Sequence, residues 1–221
     1  MSAFRLPAFY PILDTGILAA RGLSAVAAAE AILEAGARIL QFRHKEFFSR
    51  DVFEDARQVA ALCRDAGALF VMNDRADFAK LLGAALHLGQ DDLAPMDARK
   101  LLPAPAILGF STHHREQLRA GDTQPVDYLA IGPIFATGSK KNPDPVVGIA
   151  ELAAVRALTG KPLVAIGGIP RDTAHAVLNA GADSLAVIAD LYPEPPLTKL
   201  DLRKRAEEWL VLCSTKSKKP G

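Results

Sequence analysis

Two cations and an amide stand at alternate positions of one short apolar segment. There Gln41, Arg43 and Lys45 alternate with Phe42 and His44. An extended backbone sends successive side chains to opposite faces, so the amide, the guanidinium and the ammonium are predicted to share a face. Such a face can bind a phosphate or a diphosphate. The alternative is a solvated cluster of charges with an outward-facing phenylalanine.

Carboxylates follow two later apolar segments. Asp74 comes directly after Asn73, and Asp91 and Asp92 follow the next segment. If these segments are neighbouring strands, two carboxylates can hold Mg²⁺ through one or two direct bonds, while the ion keeps waters and shares oxygens of a diphosphate. The alternatives are an N-terminal cap for a helix that begins near Arg75, and ordinary loop residues.

Hydroxyl groups and lysines follow the fifth and sixth apolar segments. Ser111 can donate to a phosphate oxygen, or it can cap the next helix. The longest loop, residues 132–143, contains Thr137, Ser139 and Lys140. Glycine, hydroxyl groups and lysines in one segment are typical of a lid that closes over phosphates, and the alternative is a flexible surface loop.

A glycine pair, Gly167 and Gly168, stands just before a predicted helix that starts near Pro170. Glycines let backbone N–H groups approach an anion, and a helix N-terminus adds positive potential. After the eighth apolar segment, Ile188 and Ala189 offer further backbone amides. In a barrel, the loops after the seventh and eighth strands are a frequent phosphate site.

The histidines are assigned no catalytic role. We expect His113 and His114 to lie exposed at a helix start, without a nucleophile or a carboxylate partner nearby in the sequence. His87, near a strand end, is expected to belong to the core, and His175 lies within a predicted helix.

These residues follow a regular alternation of short apolar segments with amphipathic ones. The eight strand-like segments are Phe9–Leu13, Ile39–Phe42, Leu69–Met72, Ala85–Leu88, Ala106–Phe110, Tyr128–Ile131, Leu163–Ile166 and Ser184–Val187. Strands that alternate with helices predict a parallel sheet, and eight such units predict an α/β fold of the (β/α)₈ or TIM-barrel class. An open doubly wound sheet is the alternative, although G-x-G-x-x-G is missing after the first strand. We expect one domain over residues 1–213 and a disordered basic tail over 214–221.

Composition limits the class of protein further. The formal net charge of the 221 residues is +1, which gives no reason to expect binding to nucleic acid or to an acidic membrane. The sequence shows no secretory signal and no apolar run long enough to span a membrane, and its two cysteines are typical of reduced thiols. We therefore expect a cytoplasmic protein with small-molecule partners, and a homo-oligomer stays open.

Six motifs in this order resemble those of thiamine phosphate synthases, over a span from about Phe9 to Leu191. The motifs are Gln41-x-Arg43-x-Lys45, Asn73-Asp74, His87-x-Gly89-Gln90-x-Asp92, Gly132-Pro133-Ile134-Phe135, Thr137-x-Ser139-Lys140-Lys141 and Ile166-Gly167-Gly168-Ile169. The resemblance implies a TIM barrel that joins a hydroxymethylpyrimidine diphosphate to a thiazole phosphate and releases pyrophosphate.

The resemblance also implies roles for individual residues. The pyrimidine diphosphate would be bound by Gln41, Arg43, Lys45, Asn73, Ser111 and Lys140. Mg²⁺ would be held by Asp74 and Asp92. The thiazole phosphate would be surrounded by Thr137, Ser139, Gly168, Ile188 and Ala189. Catalysis would be electrostatic, by Arg43, Lys45 and Lys140, without a general acid or base.

Three positions depart from the pattern of that family. Ser139 stands where a threonine is usual, Ala189 where a serine is common, and Ala85 where an aspartate is frequent. Loss of the serine hydroxyl leaves only the backbone N–H of residue 189 to reach the thiazole phosphate.

Two other functions fit parts of the pattern. A thiazole tautomerase on the same fold would need a base such as His113 or His114, but it would need no metal carboxylates. A catalytically silent barrel that senses a phosphorylated metabolite would keep the glycines and could lose the carboxylates. Retention of Asp92, the cationic motif and Lys140 favours the synthase.

Overall fold

The structure is a computed structural model that describes residues 5–138 and 144–214. Eight parallel strands, β1 to β8, pair in chain order, and β8 pairs with β1 to close a barrel. The TIM barrel predicted from the sequence is confirmed, and the open sheet is wrong. The strands are Phe9–Asp14, Ile39–Arg43, Leu69–Asn73, Ala85–Leu88, Leu108–Thr112, Tyr128–Ile131, Leu163–Ile166 and Ser184–Val187.

Helices on the outside connect the strands. In chain order, α1 to α9 are Thr15–Ala20, Ala25–Glu34, Arg50–Asp65, Ala76–Leu82, Pro95–Leu101, Arg115–Asp122, Gly148–Arg156, Ala174–Asn179 and Lys199–Ser214. Two 3₁₀ turns, Arg171–Thr173 and Ala189–Leu191, follow β7 and β8.

Each strand is buried on both faces, which explains why the strands appear in the sequence as continuous apolar runs. Inward-facing side chains such as Ile12, Val71 and Val164 fill the barrel. The intervening side chains, such as Leu13 and Leu40, pack under the helices in a larger outer core. Parallel sheets covered by helices have this pattern. In barrels with a packed interior of this kind, ligands bind at the carboxyl ends of the strands.

The predicted elements differ from the observed ones at a few points. Helix α1 was not predicted, and it begins because the Asp14 carboxylate accepts a hydrogen bond from the N–H of Ile17, at 3.0 Å. Strand β5 starts two residues later than predicted and includes Ser111 and Thr112. The helix predicted to start near Pro170 begins with a 3₁₀ turn over Arg171–Thr173.

The C-terminal helix α9 continues through Ser214, one residue past the predicted domain boundary. The rest of the predicted tail, residues 215–221, lies outside the described residues. Within the described part of the chain, no helix is both long and apolar enough to cross a membrane.

Candidate active site

The carboxyl ends of the strands open into a cavity of about 750 Å³. The described residues that the sequence predicted for substrate or metal all line it: Gln41, Arg43, Lys45, Asn73, Asp74, Asp92, Ser111, Thr137, Gly168, Ile188 and Ala189. The two remaining predicted residues, Ser139 and Lys140, lie outside the described residues. Alternation along β2 places Gln41, Arg43 and Lys45 at the cavity, while Phe42 is buried in the outer core.

Two carboxylates, Asp74 after β3 and Asp92 after β4, approach each other within hydrogen-bonding distance. Burial, together with the neighbouring Asp92, raises the pKa of Asp74 to about 6, although Lys45 acts in the opposite direction. The ammonium of Lys45 lies 2.5 Å from Oδ2 of Asp74, and the N–H of Gly89 donates to Oδ2 of Asp92 at 2.7 Å. Crowded carboxylates with a raised pKa favour binding of a cation.

The alternative role of Asp74 as a helix cap is wrong. Helix α4 has Arg75 at its N-cap and no side-chain cap. Asp74 instead adopts φ +62°, a left-handed conformation that costs a non-glycine residue energy and often marks a functional site.

The carboxylate pair fits a hard divalent cation that needs few protein ligands. Among the described residues, no group of three or more His, Cys, Asp or Glu side chains is arranged to hold a metal ion. Mg²⁺ keeps several waters and is often held by one or two carboxylates together with substrate phosphates. Asp74 and Asp92 supply that kind of partial ligand set.

Arg43 is held by a partner that the sequence analysis missed. Its guanidinium forms an ion pair with Asp14, the last residue of β1. The two residues are direct neighbours in the sheet register, which brings their side chains together. The signal was present, because Asp14 directly follows the first apolar segment as Arg43 directly follows the second.

A chain of hydrogen bonds crosses the floor of the cavity. Nε2 of Gln41 donates to the hydroxyl of Tyr10 at 2.9 Å, and the hydroxyls of Tyr10 and Tyr128 are 2.9 Å apart. Nδ1 of His87 lies 2.9 Å from the Tyr128 hydroxyl, and Nε2 of His87 lies 2.8 Å from Oγ of Ser111. Burial lowers the pKa of His87 to about 4, so the ring is neutral near pH 7.

The alternative role of Ser111 as a helix cap is wrong. Helix α6 has His114 at its N-cap without a side-chain hydrogen bond, so Ser111 does not cap it. Sequence reasoning assigned His87 to the core and missed Tyr10 and Tyr128. Polar side chains at inward-facing positions of strands were the available signal.

Asn73 offers a donor to the cavity. Its Nδ2 is buried and has no hydrogen-bond partner among the residues that the structure describes. A buried donor without an acceptor costs free energy, and an oxygen of a bound anion would remove that cost.

The glycine pair after β7 lets two loops pack closely at the other side of the mouth. A Cβ at Gly168 would lie 2.4 Å from the carbonyl oxygen of Ala136, and φ at Gly168 is +64°. The N–H of Phe135 donates to the carbonyl of Gly167 at 3.0 Å. The backbone of Gly168 therefore lines the cavity beside the loop that follows β6, next to Ile188.

Comparison with known proteins identifies the family. A family model described as thiamine monophosphate synthase matches residues 9–191. The chain belongs to the thiamine monophosphate synthase family.

Similar proteins cover nearly the whole chain. The thiamine-phosphate synthase of Koribacter versatilis is 45% identical over 214 residues, covering 96% of this chain and 98% of its own. The thiamine-phosphate synthase of Azorhizobium caulinodans is 39% identical over 191 residues, which cover 86% of this chain and 89% of that protein. The solved structure of thiamine phosphate pyrophosphorylase from Pyrococcus furiosus has a TM-score of 0.80 at 30% identity and covers 94% of this chain and 96% of that one.

In this member of the synthase family, His113 lies in the cavity. Its Nδ1 is 2.7 Å from the carbonyl oxygen of Gly132 and 3.4 Å from Oδ2 of Asp144. The expectation that neither helix-start histidine has a carboxylate partner is wrong, since His114 also contacts Glu116 at 2.9 Å. The contact between His113 and Asp144 joins the loop after β5 to the loop after β6, and only the fold brings these two residues together.

Proposed function

We propose that this chain is a thiamine-phosphate synthase that joins a hydroxymethylpyrimidine diphosphate to a thiazole phosphate and releases pyrophosphate. The observation that carries the proposal is that Arg43, Lys45 and the carboxylates Asp74 and Asp92 line a single cavity, in which Lys45 pairs with Asp74. The glycine-lined loop at Gly168 stands at the other side. These two sides of one cavity support the proposal of a diphosphate site and a monophosphate site.

The reaction requires departure of the diphosphate and attack by the thiazole nitrogen. The bond between the pyrimidine methylene carbon and the diphosphate oxygen breaks, and its electron pair leaves with pyrophosphate. The cation that remains is stabilised by the pyrimidine ring. The lone pair of the thiazole nitrogen then forms the new C–N bond, so neither bond change requires a general base.

The protein contributes charge and orientation to this reaction. Arg43, Lys45 and Lys140 are proposed to neutralise the leaving pyrophosphate, and the amide of Asn73 and the hydroxyl of Ser111 to donate to its oxygens. The unpartnered, buried Nδ2 of Asn73 suits that task. Gln41 is proposed to contact the pyrimidine ring at the cavity floor.

Asp74 and Asp92 are the proposed ligands of Mg²⁺. A bound Mg²⁺ would supply Lewis-acid neutralisation of the diphosphate, complementary to that of the cationic side chains. Burial and the nearby Asp92 raise the pKa of Asp74, which supports this assignment, because a dication stabilises both carboxylates in their charged form.

The thiazole phosphate is proposed to bind among Thr137, Ser139, Gly168, Ile188 and Ala189. Backbone N–H groups of the loops after β7 and β8 would contact its oxygens. Because Ala189 has no hydroxyl, binding of the phosphate at that position would depend on backbone groups.

The direct test incubates the purified protein with both substrates and Mg²⁺ and measures thiamine phosphate and pyrophosphate by mass spectrometry. We expect the two products in equal amounts, and loss of both when EDTA removes divalent metal. Absence of product with every divalent metal tested would sink the proposal.

The tautomerase stays a second candidate because of the geometry of His113. The ring lines the cavity, and because its Nδ1 contacts Gly132 and Asp144, Nε2 is the ring nitrogen available to a substrate. Incubation of the thiazole phosphate alone in D₂O distinguishes the two functions. Deuterium incorporation without the pyrimidine substrate, lost in His113→Gln, would support the tautomerase.

A further inference from the structure

The hydrogen-bonded chain under the cavity runs in one direction when Gln41 is the donor to Tyr10, as it is in the structure. Gln41 donates to Tyr10, which is buried and has one hydroxyl proton. That proton has a partner only if Tyr10 donates to Tyr128, and the proton of Tyr128 then goes to Nδ1 of His87. Because Nδ1 accepts, the proton of the neutral ring is on Nε2 and is donated to Ser111.

The direction decides what the two ends of the chain offer to a ligand. The Gln41 amide uses its nitrogen on Tyr10, so its carbonyl oxygen is the group available at the cavity. Ser111 accepts from His87, so its own proton can be donated to a ligand.

A second arrangement satisfies the same groups with every bond reversed. The Gln41 carbonyl would then accept from Tyr10, its amide N–H₂ would be available at the cavity, and the Ser111 proton would be used on Nε2 of His87. Mixed arrangements leave a buried donor or acceptor unpaired, which costs about 1–3 kcal/mol. The ends of the chain are therefore linked through the tautomer of His87.

We propose that Tyr10, Tyr128 and His87 are positioning residues that form a hydrogen-bond relay and set the amide orientation of Gln41 together with the hydroxyl proton of Ser111. This inference rests on the proposed function and adds a specificity mechanism to it. The relay presents a carbonyl oxygen to the amino group of an aminopyrimidine and a hydroxyl proton to the diphosphate. It disfavours an oxo analogue, which offers a carbonyl where the substrate offers an amino group.

Packing around the relay supports a built arrangement. A Cβ at Gly109 would lie 2.0 Å from Cζ of Tyr128, so only glycine leaves room for this ring. The rings of His87 and Tyr128 stack with centroids 5.5 Å apart. Both tyrosines are fully buried, which fixes their hydroxyls against the neighbouring groups.

The first test needs no substrate. Long-range ¹H–¹⁵N spectra, with the His87 signals assigned through His87→Gln, report which ring nitrogen carries the proton. We expect a single tautomer with the proton on Nε2. We expect Tyr10→Phe and Tyr128→Phe to give a mixture of tautomers, and Tyr192→Phe, a matched buried tyrosine outside the relay, to keep the single tautomer. A proton on Nδ1, or a mixture in the unaltered protein, would overturn the proposal.

The second test measures selectivity. The ratio of kcat/KM for the aminopyrimidine diphosphate over that for its oxo analogue should fall about tenfold in Tyr10→Phe and Tyr128→Phe, since one net hydrogen bond is misdirected. It should not change in Tyr192→Phe. If the two tyrosines had only a structural role, both kcat/KM values would fall equally and their ratio would not change. An unchanged ratio would therefore contradict the relay.

The two tests separate the possible failures. If the unaltered protein forms no product but has the expected tautomer, the proposed synthase function fails and the relay stands as a structural feature. If product forms while the tautomer or the ratio is unaffected by both phenylalanine variants, the relay is wrong. Two variants at different strands, each checked by thermal unfolding, keep the test decisive if one does not fold.

Discussion

Asp14 and Arg43 form an ion pair across the ends of β1 and β2, with side chains that are 10% and 15% exposed. The same carboxylate caps α1 through Ile17, and the backbone N–H of Asp14 donates to the hydroxyl of Tyr192 at 3.0 Å. Asp14 thus holds the end of β1 through three contacts, two from its carboxylate and one from its backbone N–H. Arg43 is oriented by it before any anion arrives.

Asp14→Asn tests this relationship, because asparagine keeps the helix cap and removes the charge. We expect a loss of stability of about 1–3 kcal/mol, since the largely buried Arg43 is left without a counterion. Pyrophosphate with Mg²⁺ should then stabilise the variant more than the unaltered protein, because the anion replaces the lost partner. Thermal unfolding with and without pyrophosphate measures both effects. Equal melting temperatures in the two proteins would contradict the proposed role.

The metal assignment predicts a specific change in Asp92→Asn. We expect the Mg²⁺ concentration for half-maximal activity to rise at least about tenfold, since one of two direct ligands loses its charge. Asp97→Asn, on the exposed face of α5, is the control and should keep the Mg²⁺ dependence unchanged. Full turnover of the Asp92 variant at limiting Mg²⁺ would show that Asp92 does not bind the metal.

The sequence was sufficient for most of the barrel because strands buried on both faces are continuous apolar runs. Four of the eight strands, β1, β2, β3 and β5, continue past their predicted ends, because polar residues at these ends interrupt the apolar pattern. Strand β5 shows the effect most clearly, since Thr112 looks like a loop residue but donates to the carbonyl of Ala130 at 2.8 Å. Helix α1 is only six residues long and depends on one cap.

The contacts between the site residues could not be predicted from the sequence, for a different reason. Each of these contacts joins residues from different strands or from the loops that follow them. They are the Asp14–Arg43 pair, the contact between Asp74 and Asp92, and the relay. Which side chains come into contact depends on the register and closure of the barrel. Neither can be predicted from the local sequence pattern of a single strand. Individual residue types at strand ends were visible, but their partners were not.

The neutral state of buried His87 predicts a dependence of stability on pH. Its folded pKa of about 4 is below the ordinary 6.5, so the unfolded chain binds more protons between these values. Stability from this group is therefore complete above about pH 6.5 and is lost as the pH falls toward 4, by on the order of 3 kcal/mol.

The comparison with His87→Asn isolates this contribution. Asp74 acts in the opposite direction, because its pKa is raised to about 6 and its contribution falls as the pH rises through that range. The difference in free energy of unfolding between the two proteins, measured by urea at pH 4 to 7, removes the Asp74 effect. A difference that does not vary with pH would mean that His87 does not titrate as inferred.

Gly168→Ala should weaken binding of the thiazole phosphate. The added methyl would meet the carbonyl oxygens of Ala136 and Phe135, at 2.4 and 2.8 Å, and the left-handed φ would be strained. We expect the KM for the thiazole phosphate to rise at least about tenfold, with a smaller effect on the diphosphate substrate. Gly160→Ala, where a Cβ meets nothing within 4 Å, is the control. Equal effects on both substrates would show that the loop does not serve the monophosphate specifically.

Ala189→Ser should have the opposite effect on the same substrate. Residue 189 is exposed at the cavity in the 3₁₀ turn after β8, so a hydroxyl can be added there without displacing packed atoms. One more donor to a charged phosphate contributes about 1.5–3 kcal/mol at most, and less in a solvated mouth. We therefore expect the KM for the thiazole phosphate to fall several-fold while kcat stays similar, because the group is remote from the bond that forms. Steady-state kinetics with the diphosphate substrate saturating measures the change. An unchanged KM would mean that the phosphate lies out of reach of residue 189, and that the loop after β8 contributes less to its binding than the loop after β7.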